Sequence, residues 1–157
     1  MIRCTFENGS PAKLRHVAVH AIAVKEEKIL LVKRSRTLST EPGKWALPGG
    51  FLDLNETVVE GALRELHEET GWEGKAVGIT WINTRPDRPG DDRQDIAFDV
   101  VIAPTTQTGK PDNESSEVVW APLHALLPYE PLAFDHKQSI ALYLTQRKKS
   151  FLQPIVY

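Results

Sequence analysis

The chain has 157 residues, 41% of them hydrophobic and 25% charged, with a formal net charge of −2. That length and balance describe a single globular domain able to bury its own core, and they exclude the overall basic field that draws nucleic acid. The one cysteine, Cys4, excludes an intrachain disulfide and any cysteine-based metal cluster, which fits a reducing compartment.

Residues 1–8 lack the apolar stretch of a secretory leader, and no run approaches the length of a membrane span. A cytoplasmic protein with neither a membrane nor a nucleic-acid partner is therefore expected. Residues 16–24 read as a strand, with Val17, Val19, Ala21 and Ala23 in one alternating row. A polar connection over residues 25–28 leads to a second strand over 29–32, so the two form a predicted hairpin. Residues 33–44 are polar and carry the turn signal Pro42-Gly43. Trp45, Ala46 and Leu47 form a short apolar piece that Pro48-Gly49-Gly50 ends.

Thr57 followed by Glu60 has capping-box spacing and starts a helix near Val58. Gly71 stands where a left-handed helix cap is expected. Gly61, inside that helix, costs about 1 kcal/mol against Ala, and close packing of helix on sheet is a reason to keep it. Residues 75–83 and 96–103 read as strands, the second closed by Pro104, which has no N–H for a ladder. Between them, residues 85–93 read as an exposed loop. Residues 105–116 read as a polar loop, 118–120 as a short strand and 122–127 as a short helix. After an apolar loop, residues 136–149 read as an amphipathic helix with Ile140, Leu142, Tyr143 and Leu144 on its buried side and Asp135 as a candidate cap. This mixed order favours one layered α/β domain.

Chemistry concentrates in the first helix. Glu65, Glu68 and Glu69 stand at i, i+3 and i+4 and emerge on one face. Like charges crowded in this way cost roughly a few tenths of a kcal/mol per pair, so the cluster needs a compensating cation. Carboxylate oxygens are hard ligands of the kind that suits Mg²⁺ or Mn²⁺. Taken alone, three glutamates on one helix face also fit a solvated surface. The longer pattern decides between the two. Gly50, Glu56, Arg64, Glu65, Leu66, Glu68, Glu69 and Gly71 fall in the register of Gly-x5-Glu-x7-Arg-Glu-U-x-Glu-Glu-x-Gly-U, where U is a bulky aliphatic residue. This segment resembles the Nudix box and departs from it only at Trp72.

The resemblance implies the Nudix fold, a mixed β-sheet sandwiched between α-helices, over residues 1–157 as one domain. It implies metal-assisted attack of water on a diphosphate, because divalent ions let an acidic site hold an anionic substrate and stabilise the leaving oxygen. It assigns Glu65, Glu68 and Glu69 as metal ligands, together with the backbone carbonyl of Gly50. Arg64 orients a box glutamate, and Glu56 anchors the loop before the helix. Glu114 is a candidate for an additional catalytic carboxylate, with Glu117 as its competitor.

Three further patches are similar to the ADP-ribose and nucleotide-sugar branch of that family: residues 44–51, residues 85–93 and residues 132–136. They imply a nucleotide substrate, ADP-ribose first, touched by Trp45, Arg85, Pro86, Arg93 and Phe134. Trp81 and Phe98 are further stacking candidates that fit a core role better, and Arg34, Arg36 and Arg88 are further candidates for phosphate or ribose contacts. His16, His20 and His67 lack a metal-ligand spacing. The alternatives are a house-cleaning hydrolase of oxidised nucleoside triphosphates and, from another class, a non-catalytic ADP-ribose sensor. A homodimer is compatible with the resemblance.

Overall fold

The alternating apolar rows of the central strands leave two faces to be covered, and a helix lies on each. The computed structural model describes residues 2–88, 94–149 and 154–156. β1 (Ile2–Thr5) and β2 (Pro11–Leu14) form a separate antiparallel hairpin. Then follow β3 (Val17–Lys25), β4 (Lys28–Arg34), β5 (Trp45–Ala46), β6 (Gly49–Phe51) and α1 (Val58–Thr70). After these come β7 (Trp72–Asn83), β8 (Ile96–Gln107), β9 (Ser115–Pro122), a 3-10 turn at Leu127–Tyr129, α2 (His136–Gln146) and β10 (Ile155–Val156).

The large sheet runs β10-β7-β8-β3-β4-β5, with β6 also paired to β3 and β9 to β4. It is mixed: β3 runs parallel to β8 and β10 parallel to β7, while the other pairs are antiparallel. Alternation along β3 sends Val19, Ala21 and Ala23 to one side, where they pack with Ala62 and Leu66 of α1. Ile22 goes to the other side and meets Ile140 and Tyr143 of α2. The sheet is thus sandwiched between the two helices, and burial on both faces explains why β3 is almost continuously apolar.

α1 is fixed by its own ends. Thr57 Oγ1 accepts the Glu60 N–H at 3.2 Å while the Glu60 carboxylate accepts the Thr57 N–H at 2.7 Å, which completes the capping box. Gly71 closes the helix at φ 73° and donates its N–H to the His67 carbonyl. A Cβ on Gly61 would lie 2.8 Å from both Glu56 Oε1 and Leu52 Cδ1. The close neighbour of Gly61 is therefore the loop before the helix, not the sheet.

Several boundaries differ from expectation. β6 forms where Pro48-Gly49-Gly50 was read as a terminator, because Gly49, Gly50 and Phe51 find open ladder positions opposite His20, Val19 and Ala18. β8 continues past Pro104 to Gln107; there β8 has left β3 behind, and a register shift against β7 accommodates the missing N–H. The expected helix over residues 122–127 is replaced by turns and the 3-10 turn. α2 stops at Gln146 rather than Lys149, and its cap position, Asp135, makes no side-chain capping bond. Trp72, the departure from the box, packs edge-on against Trp120 with ring centres 5.4 Å apart, on the α1 side of the sheet.

Candidate active site

A cavity of about 440 Å³ opens between α1, the start of α2 and the strand ends of the sheet. Its lining includes an acidic set, Glu65 and Glu68 of α1 with Asp53, Asp112 and Glu114 from loops, and a second set of Arg34, Phe134, His136, His20 and Arg88.

Within the acidic set, Arg64 is the organising cation. Its guanidinium donates to Glu56 at 3.0 and 2.7 Å, to Glu65 and Glu68 at 2.9 Å each, and to the Phe51 carbonyl at 3.0 Å. Such charge-assisted forks fix both direction and distance. Glu56 also accepts the Asp53 N–H at 2.7 Å, so it ties the preceding loop to the helix. The Glu65 carboxylate lies so close to Gly50 that any Cβ there would collide with it. Glu69 sits deeper, 5% exposed, and accepts the Gly49 N–H at 3.0 Å. Burial pushes the Glu69 carboxyl up to about 8, opposed by the Gly49 hydrogen bond and reinforced by the charges of Glu65 and Asp112. Burial also raises Glu65, against the hydrogen bond and charge of Arg64.

The loop that follows β8 is bonded to the end of α1. Thr108 and Gly109 donate N–H groups to the Gly71 carbonyl, and Asp112 donates its N–H to the Glu68 carbonyl at 2.9 Å. These bonds satisfy carbonyls that a helix end leaves open, and they carry Asp112 and Glu114 to the cavity. The Glu114 carbonyl in turn accepts the Ser35 N–H at 2.7 Å. Glu117 is turned away, exposed and paired with Lys33 at 2.7 Å.

Glu65, Glu68, Glu69 and the Gly50 carbonyl are hard oxygen donors of the kind that suits a divalent cation. Among the described residues no three His, Cys, Asp or Glu side chains are gathered into a metal cluster, since Arg64 draws Glu65 and Glu68 to itself. Glu69 fits a cation best, being a buried carboxylate that burial alone forces toward its protonated form. The donor set therefore fits a divalent ion that shares the carboxylates with Arg64.

The second set rests on a buried polar network. His20 and Asp99 are register partners on β3 and β8, and His20 Nδ1 lies 2.8 Å from Asp99 Oδ1. The His20 ring stands edge-on to His136 at 4.5 Å. Asp135 receives two bonds of 2.9 Å from Arg88 and one of 2.8 Å from Asn83 Nδ2, all three residues being buried. Burial alone would raise Asp135, but the Arg88 hydrogen bonds and charge outweigh it and hold the carboxyl below its usual value. This is why Asp135 does not cap α2. The Arg34 guanidinium lies 5.1 Å from the centre of the Phe134 ring, and Phe134 adopts φ 51°, a conformation rare for a bulky residue.

Of the residues singled out from sequence, Gly50, Arg64, Glu65, Glu68, Glu114 and Phe134 line the cavity, with Glu69 just behind. Trp45, Arg85 and Pro86 do not line it. Trp45 packs edge-on against Tyr129 at 5.3 Å as part of the α2-side core, because its strand partner β4 turns it there. Arg85 pairs with Asp87 at 3.1 Å, and Pro86 is exposed. Arg88, three residues on, reaches the cavity instead. Arg93 lies outside the described residues. Trp81 is buried in the core and Phe98 packs on the α1 side. His67 is exposed. Sequence reasoning passed over Asp112 and Asp99; it weighed His20 only as a metal ligand and named His136 only within the patch over residues 132–136. One signal was legible: His20 interrupts the otherwise apolar row Ala18, His20, Ile22 on β3.

The family model for the NUDIX domain matches residues 14–143. The chain is 36% identical over 129 residues, 82% of its length, to an ADP-ribose pyrophosphatase of Methanocaldococcus jannaschii, covering 72% of that protein. Its structure resembles the Nudix domain of Shewanella oneidensis NrtR complexed with ADP ribose, with a TM-score of 0.68 and 28% identity, covering 87% of this chain and 91% of that one. It also resembles a bifunctional NMN adenylyltransferase/ADP ribose pyrophosphatase of Francisella tularensis complexed with AMP and a Mn ion. There the TM-score is 0.74 and the identity 26%, covering 87% of this chain and 43% of that one. The box, the fold and these matches agree: the chain belongs to the Nudix family.

Proposed function

We propose that this protein hydrolyses the diphosphate of a nucleoside diphosphate linked to a second moiety, with ADP-ribose as the first substrate and AMP and ribose 5-phosphate as products. The observation that carries this reading is the mixed lining of one cavity. Box carboxylates share it with an Arg34–Phe134 stack and buried histidines. The carboxylates suit a metal-bound diphosphate, and the aromatic and histidine side chains suit a nucleoside-like group. The relatives act on or bind ADP-ribose by name, which supports the same assignment.

Glu65, Glu68, Glu69 and the Gly50 carbonyl would hold the divalent ions, Mg²⁺ first and Mn²⁺ accepted, as the Mn ion in the Francisella relative supports. When bound, such ions neutralise the diphosphate, acidify a water and stabilise the leaving oxygen. Arg64 holds Glu65 and Glu68 aimed by charge-assisted hydrogen bonds. Glu114 lines the cavity with no lysine paired to its carboxylate among the described residues, unlike Glu117, and takes the proton of the attacking water. Phe134 offers a face for stacking and Arg34 a charge beside it.

The proposed setting is the cytoplasm and the proposed unit a single domain, working as a homodimer that light scattering would test. No helix among the described residues is long and apolar enough to cross a membrane. A panel of diphosphates incubated with each metal, with products separated by chromatography, tests the substrate. AMP and ribose 5-phosphate from ADP-ribose are expected. Pyrophosphate released from nucleoside triphosphates, with ADP-ribose untouched, overturns the substrate. Tight ADP-ribose binding without turnover overturns the catalysis.

A further inference from the structure

His136 opens α2 and lines the cavity, yet it is 3% exposed. Its Nδ1 accepts the Leu47 backbone N–H at 3.0 Å. An amide N–H can only donate, so Nδ1 carries no proton and the ring's proton sits on Nε2. Protonating the ring would set an N–H against an N–H. Burial, and after it the electrostatic influence of His20, Arg88 and Arg34, also holds this imidazole well below its usual value. Nε2–H is thus a fixed neutral donor, and it has no hydrogen-bond partner among the described residues.

A buried donor left unmatched is uncommon and asks for a reason. The surroundings provide one. His20 stands edge-on to the ring at 4.5 Å and Phe134 lies at 5.5 Å, so the imidazole cannot swing away to find an acceptor. Phe134 is itself held at φ 51° beside it. The groups in contact with the His136 ring are Leu47, His20 and Phe134, none of them a box carboxylate. An oxygen that reaches this wall therefore belongs to the group attached to the diphosphate, and a neutral donor beside a guanidinium already matched by Asp135 suits an uncharged acceptor.

We infer that His136 is a substrate-binding residue whose Nε2–H, fixed by the Leu47 N–H, donates to a sugar oxygen of the bound nucleotide. This rests on the proposed reading of the cavity as the site of a sugar-bearing diphosphate. Sites that hydrogen-bond a substrate oxygen discriminate strongly, because an analogue lacking it leaves the buried partner unmatched.

Two substitutions separate this role from a structural one. His136→Asn places Oδ1 where Nδ1 stands and keeps the Leu47 bond, but has no group at Nε2. His136→Gln places an N–H₂ near Nε2 but loses the acceptor for Leu47. The Asn variant is expected to melt close to wild type with kcat/KM lowered about 10- to 100-fold. The Gln variant is expected to melt lower with kcat/KM within several-fold of wild type. In the intact protein with Mg²⁺, proton–nitrogen spectra should show the Nε2–H tautomer, and its proton should shift with the methylene analogue of ADP-ribose but not with methylenediphosphonate. Wild-type kinetics in the Asn variant, an Nδ1–H tautomer, or a shift produced by methylenediphosphonate alone would each overturn the inference. If the wild type cleaves no sugar-bearing diphosphate, the proposed function has failed, and the resonance still decides whether His136 meets the analogue's sugar.

Discussion

The two helices that cover the sheet are built in opposite ways. α1 spends its local signals on itself: Thr57 and Glu60 cap one end, Gly71 closes the other, and Arg64 binds carboxylates within and just before the helix. α2 spends its first residues on the rest of the molecule. Asp135 gives its carboxylate to Arg88 and Asn83, and His136 gives its Nδ1 to Leu47. The first helix is a preformed rod that carries an acidic face. The second is held in place by partners far along the chain, and its start becomes a wall of the cavity.

The sharpest break of the acidic face is Glu69→Gln. Turnover should fall about 100-fold or more while the fold persists, as steady-state assays and thermal melts would show. Unchanged turnover would remove Glu69 from the metal site. The equivalent break at the second helix is Arg88→Ala, which leaves the Asp135 carboxylate buried without its cation. A loss of about 3–5 kcal/mol in denaturant unfolding is expected, and a loss near zero would mean that α2 does not depend on that pair.

The two regions also respond oppositely to pH. Glu69 has a folded value of about 8 against an ordinary 4.5, so the folded state binds the extra proton between those limits. Metal-free stability from this group is full below pH 4.5 and declines as pH rises toward 8, by on the order of a few kcal/mol. Mg²⁺ should recover that loss at pH 8 and have little effect near pH 5 in melting experiments. Asp135 is held below its usual value, so its contribution is present above pH 3.8 and lost on acidification below it. Arg88→Ala should abolish that acid limb. The smallest expected effect is Thr57→Ala, about 1 kcal/mol, since only one end of a helix with other supports is released.

The same contrast explains what could be read from the sequence. α1 was legible to its boundaries because cap, periodicity and terminal glycine are neighbours in the chain. The acidic face was legible for the same reason. The wall at α2 was not, because its hydrogen bonds join residues 47 to 89 positions apart: His20 with Asp99, Leu47 with His136, Arg88 with Asp135. Local pattern made Asp135 a cap, and tertiary demand overrode it. The polar loop pointed first to Arg85, with Arg88 a further candidate, and only the packed structure selects Arg88 for the cavity. The β1–β2 hairpin was not anticipated because its strands are short and mostly exposed, without an alternating apolar row, and β10 because it is two residues long and pairs with the distant β7.

The backbone bonds that fasten residues 108–112 onto the end of α1 make the spacing between β8 and β9 a design parameter. One extra residue there would throw Asp112 and Glu114 out of step with the glutamates they face, whereas an extra residue beside Asn8-Gly9, at the tip of the outlying hairpin, would go unnoticed. An engineer seeking a place to graft a tag or a reporter would choose the hairpin tip and leave the other joint at its present length.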